Sequence, residues 1–169
     1  GEPVPAPHAY LPSRVISEVE LGLNNINQPQ DVFVRKDTIY LLDSGNNRII
    51  CFNKDWKVEK IIKKFKIKGK PAQLNNPGGL FVTDSEKIYI ADKGNKRVVI
   101  LDREGNFLDQ IDTPTPKNAA GVIGEDFIFK PVEVCMDKEV GRIYVIAEGV
   151  YNGIMSFNTN GEFRGFIGA

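Results

Sequence analysis

The residues best equipped for chemistry come in two matched sets. "DSGNNR" runs from Asp43 to Arg48, and "DKGNKR" from Asp92 to Arg97, one structural unit later. An Asp and an Arg that flank a tight turn can form a charge-assisted, single or bidentate pair. Gly45 and Gly94 are expected to supply positive φ, while Asn46 and Asn95 tolerate the left-handed region and offer side-chain bonds to turn backbone. A catalytic site is seldom duplicated so faithfully. The Asp43–Arg48 and Asp92–Arg97 pairs are therefore expected to be structural clamps, with direct ligand binding as the weaker alternative. Loss of Asp92 should then cost about 1 to 3 kcal/mol.

Other catalytic arrangements find little material. The chain has one histidine, His8, in a proline-rich N-terminal arm. Ser-His-Asp and Cys-His catalysis both need a histidine base within reach of the nucleophile. No catalytic residue, metal site or cofactor is expected. Cys51 and Cys135 sit in apolar runs without a CxxC partner, so two buried free thiols are expected. Twenty-two basic residues balance 22 acidic ones among 169, which leaves no long-range field to draw nucleic acid or an anionic membrane. No apolar run reaches the ~18 residues of a membrane span.

Aligned on proline, the chain repeats. Units start at Pro29, Pro77 and Pro131, giving expected blades of 29–76, 77–130 and 131–169 after an arm and outer strand in 1–28. Phe33-Val34 matches Phe81-Val82, and Ile39-Tyr40 matches Ile88-Tyr89 and Ile143-Tyr144. Each unit holds four short β-branched or aromatic runs bounded by Gly, Asp and Asn, the signature of strands and hairpins. No window has a convincing helical period with caps. Four-stranded antiparallel units recurring at roughly 40 to 50 residues indicate an all-β propeller.

The pattern of proline, apolar strand, "IYLLDSGNNRII" or "IYIADKGNKRVV" and a Gly-containing turn resembles the NHL repeat, over about residues 29–167. The resemblance implies an NHL-type β-propeller of about three blades, half of a six-bladed ring, acting as an interaction platform. The third unit departs from it: Ala147 stands at the Asp position, Gly153 at the Arg position, and Glu148 is the nearest carboxylate.

A four-stranded meander brings the strand 2–3 turn and the link between blades to one end, and loops carry function more often than strands. That end is expected to hold Asn47, Asn76, Lys96, Glu148, Tyr151 and Asn152, which would suit a protein or glycan partner. The alternative is a fragment of a metal-dependent lyase or lactonase propeller with its catalytic residues outside this chain.

"KVEKIIKKFKIKGK", from Lys57 to Lys70, is expected to be the outer strand of the first blade, its lysines guarding a sheet edge rather than holding nucleic acid. Arg14 to Leu21 is expected to add another outer strand. Three blades leave apolar faces open, so further blades or a homodimer closing a six-bladed ring are expected. The start at Gly1-Glu2-Pro3 points to a processed or truncated product, and the scaffold reading carries the expectation of an exported or cell-surface location in a bacterium.

Overall fold

The computed structural model describes residues 14–17, 19–115 and 123–168. Three four-stranded antiparallel sheets follow one another along the chain. Blade 1 comprises β1 (Pro29–Arg35), β2 (Thr38–Asp43), β3 (Arg48–Asn53) and β4 (Val58–Ile62). A two-stranded hairpin follows, β5 (Lys64–Ile67) and β6 (Lys70–Gln73). Blade 2 comprises β7 (Gly79–Val82), β8 (Ile88–Asp92), β9 (Arg97–Leu101) and β10 (Phe107–Ile111). Blade 3 comprises β11 (Pro131–Asp137), β12 (Arg142–Ala147), β13 (Ile154–Asn158) and β14 (Phe163–Ile167). The protein is all-β, a partial propeller, with the first strands β1, β7 and β11 side by side at its hub.

Burial along the strands shows why the blades stack. Every residue of β8, Ile88 through Asp92, is buried because blade 2 is covered on both faces. Tyr40, Leu42, Ile49, Cys51 and Ile62 of blade 1 meet Leu80, Val82, Ile88, Ile90, Val99 and Leu101 on one side of it. Tyr89, Ala91, Val98, Ile100 and Ile111 meet Val134, Ile143, Val145, Met155 and Phe157 of blade 3 on the other. Each such side chain contributes about 1.5 to 3 kcal/mol on burial. The far face of blade 1 is covered at Ile50 and Phe52 by Leu21, Leu23 and Ile26 of the chain's own leader. Among the described residues, blade 3 is covered on one face only. On its other face Cys135 pairs with Tyr144, as Phe81 pairs with Tyr89, and Ile146, Ile154 and Ile167 are exposed.

Three expectations are corrected. The outer strand of blade 1 ends at Ile62, because its partner β3 begins at Arg48 and the last pair is Ile49 with Ile62. The chain then turns away, so Lys64–Ile67 pairs with Lys70–Gln73 in the separate hairpin. Cys51 is buried, and burial pushes its thiol up to about 11, but Cys135 is exposed because no described residue packs over its face of blade 3. Among the described residues from 14 to 28 there is no strand. Ser17 and Glu20 satisfy each other's backbone N–H groups there, at 3.0 and 3.3 Å, in a capping-box turn that replaces the expected strand. His8 lies outside the described residues.

Candidate functional site: the hub mouth at the clamp end

The site is built on the two clamp turns. Asp43 and Asp92 are fully buried, and each accepts from the Nε of its Arg, at 2.6 Å from Arg48 and 2.8 Å from Arg97. The pairs are thus single contacts through Nε rather than forks. The rest of each carboxylate is also used. Asn46 and Asn95 donate their side-chain amides to the same oxygen at 2.9 Å, and the other oxygen accepts the backbone N–H of Asn27 or Asn75 at 2.8 Å. Each Asp therefore ties its own turn to the preceding link, which brings turns and links to one end.

Within the turns the expected roles of glycine are corrected. Ser44–Asn46 and Lys93–Asn95 are 3₁₀ turns, and the left-handed residues are Asn47 (φ 52°) and Lys96 (φ 55°). Gly45 and Gly94 are needed for space: a Cβ on either would lie 2.6 to 2.7 Å from atoms of Asn27 or Asn75. Their N–H groups donate to those same Asn carbonyls at 2.8 Å, and that close approach leaves no room for a side chain. In blade 3, where Ala147 and Gly153 replace the ion pair, a backbone bond does the equivalent work. Glu148 N–H donates to the Lys130 carbonyl at 2.9 Å.

Three of the expected residues gather at the hub mouth. Asn47 Oδ1 accepts the Asn76 N–H at 2.7 Å, and Glu148 is bound by Lys93 across the blade 2–3 boundary at 2.9 Å. That bond to Lys93 holds the Glu148 carboxyl below its usual range. Asn76, Lys93, Glu148, Gln30 and Glu133 line a hollow of about 330 Å³ floored by Gly78. Tyr151, 95% exposed, and Asn152 border a separate hollow on blade 3 beside Phe127 and Phe166. Lys96 is exposed, and its N–H donates to Lys93 O, so its position reflects backbone shape.

Sequence reasoning missed the hub carboxylates. Asp31, Gly79 and Glu133 are the third residues counted from Pro29, Pro77 and Pro131, so the repeat alignment already contained the signal. Asp31 Oδ2 accepts the N–H of Leu80 at 3.0 Å on the free edge of β7, and a Cβ on Gly79 would meet Glu133 Oε2 at 2.5 Å. Glycine thus makes room for Glu133 from the neighbouring blade. Desolvation first, then repulsion by Asp31, pushes the Glu133 carboxyl up to about 7. Among the described residues no three His, Cys, Asp or Glu side chains group to hold a metal ion. Asp31 and Glu133 by themselves supply fewer oxygens than the ~6–8 that a calcium ion takes.

The raised value fixes a sign. Folding disfavours the charged form of Glu133, so its penalty is absent below about 4.5 and grows as pH rises through about 7. Stability should therefore fall between about pH 5 and 7.5 relative to Glu133→Gln. Urea midpoints of the two proteins across that range check this, and parallel curves would refute it.

A family model for the SMP-30/gluconolactonase/LRE-like region matches residues 33–127, more than half of the chain. The chain belongs to this family. No curated protein sequence matches it. Among solved structures it is similar to the Kuenenia stuttgartiensis hydrazine synthase, with TM-score 0.58 and 14% identity over 91% of this chain and 37% of that one. It is also similar to a streptogramin B lyase (TM-score 0.55, 13% identity, 84% of this chain and 41% of that one). A catalytically inactive virginiamycin B lyase from Staphylococcus aureus, solved with quinupristin, gives 0.53 and 12% over 83% and 41%. At these identities the likeness shows the propeller fold, and the chain spans about two fifths of each structure's length.

Proposed function

We propose that the chain is a non-catalytic scaffold of NHL type that binds a peptide or glycan at the clamp end, as part of an exported or cell-surface protein. One observation carries this reading. The link from blade 1 to blade 2 and the turns of blades 2 and 3 meet strands β1 and β11 at the hollow lined by Asn76, Lys93, Glu133 and Glu148, whose amide, ammonium and carboxyl groups can exchange hydrogen bonds with a polar chain. The duplicated D-x-G-N-x-R turns support the NHL type. In this reading the open face of blade 3 receives a further blade, from the same polypeptide or from a second copy that completes a six-bladed ring.

A second reading is favoured by Glu133. A carboxyl titrating near neutrality can take and return a proton, and the family match includes gluconolactonase in its description. Part of a lactonase or lyase propeller is therefore the competing role. Isothermal titration with uncharged tripeptides and neutral oligosaccharides separates the two. The scaffold reading expects binding that Asn76→Ala and Lys93→Ala each weaken several-fold, with no turnover of gluconolactone. Gluconolactone hydrolysis with a pH midpoint near 7, lost in Glu133→Gln, would instead establish the enzyme.

A further inference from the structure

We propose that the β5–β6 hairpin is a docking strip for an acidic polysaccharide, one bearing uronate or sulfate groups. This rests on the glycan form of the reading above and names its charge.

The hairpin has one seated face and one free face. Phe65 is buried, stacks on Phe107 of β10 with ring centroids 6.3 Å apart, and lies under the Arg97 guanidinium at 5.8 Å. Gln73 O, at the end of β6, accepts from Asn95 Nδ2 at 3.0 Å and from Arg97 Nη2 at 3.3 Å. The clamp of blade 2 therefore latches the hairpin to the same end as the hub mouth. Lys63, Lys64, Lys66, Lys68 and Lys70 are all exposed, and the stretch from 63 to 73 holds no acidic residue. Among the described residues none of these five makes an ion pair, whereas Lys36, Lys60, Lys93 and Lys138 each find a carboxylate.

Protection of a sheet edge does not require this much charge. Pro71 already withholds an N–H from β6, and a bare two-stranded hairpin is only marginally stable before five like charges are added. The repulsion is tolerated because the aromatic anchor and the latch hold the strip in place. The chemistry of the free face narrows the partner. Lysines without arginine forks suit diffuse charge more than fixed phosphate geometry. Phe65 is buried, so the strip offers no ring for base stacking, and Ile67 is half-buried, so it offers little for lipid insertion. The side-chain amides of Asn47 and Asn76 at the same end suit hydroxyl groups.

Binding of the intact chain to immobilised polygalacturonate and heparin at about 0.15 M salt tests the strip. Lys64→Glu/Lys66→Glu/Lys68→Glu should keep its melting temperature, because these side chains are exposed and make no ion pair among the described residues, and lose roughly tenfold or more in affinity, with a shallower salt slope. Neutral dextran should bind more weakly than either acidic glycan. The proposal is overturned if neither acidic glycan binds, if the triple variant binds like the parent, or if duplex DNA or phosphatidylglycerol vesicles bind as tightly. Neutral ligands that bind through Asn76 and ignore the triple variant would leave the loop-face reading standing and remove only this one.

Discussion

Asp92→Ala is expected to lower the unfolding free energy by about 3 to 5 kcal/mol, the range for breaking one side of a buried, hydrogen-bonded charge pair. The carboxylate is fully buried and accepts from Arg97 Nε, Asn95 Nδ2 and the Asn75 N–H. Alanine would leave a mostly buried guanidinium with Gln110 Oε1 at 3.2 Å and Gln73 O at 3.3 Å, and would remove one of the bonds that tie the turn to Asn75 in the link between blades 1 and 2. This exceeds the sequence-based expectation because burial is complete and one carboxylate serves three donors. Asp92→Asn keeps the shape without the charge and should lose less. Urea unfolding measures both, and a loss below about 1 kcal/mol for alanine would show that the clamp holds little.

The second large effect has opposite signs at two residues of one turn. Gly94→Ala should cost about 1 to 3 kcal/mol or more, since its Cβ would lie 2.6 Å from the Asn75 carbonyl oxygen, which is backbone and has little freedom to move. Lys96→Gly should be neutral or stabilise by up to about 1 kcal/mol, because Lys96 holds the left-handed conformation that glycine adopts freely. Thermal or urea midpoints of the pair decide the point. A harmless Gly94→Ala alongside a harmful Lys96→Gly would return the left-handed role to the glycine.

This turn also shows where the sequence stops being legible. Its residue types announced a clamp and its duplication announced a blade, because both follow from composition and spacing within a few residues. Which residue would be left-handed depended on Asn75, far back in the link, whose carbonyl fills the space beside Gly94. The lysine run was misplaced for a related reason. Alternation of Lys with Phe65 and Ile67 correctly marks a strand with one buried face. It carries no information about whether β3 is long enough to pair with that strand. At the hub, Asp31 and Glu133 were readable from the proline register, while the Lys93–Glu148 pair joins residues of different blades and has no local trace. Connectivity alone assigned the six expected binding residues to one end of the blades. Their division into a hub group, a blade 3 group and the solitary Lys96 required the packing.

The second oxygen of each clamp carboxylate has a bearing on how this architecture can be cut and copied. Asp43 grips Asn27 and Asp92 grips Asn75, so the sheets of blades 1 and 2 are each fastened to the segment upstream of their own first strand. The exchangeable module is consequently out of phase with the sheet: it opens in the linker before the proline and closes after the fourth strand. A graft or duplication cut at Pro29 or Pro77 would leave a buried carboxylate short of a donor. A cut a few residues earlier would carry the whole joint with it.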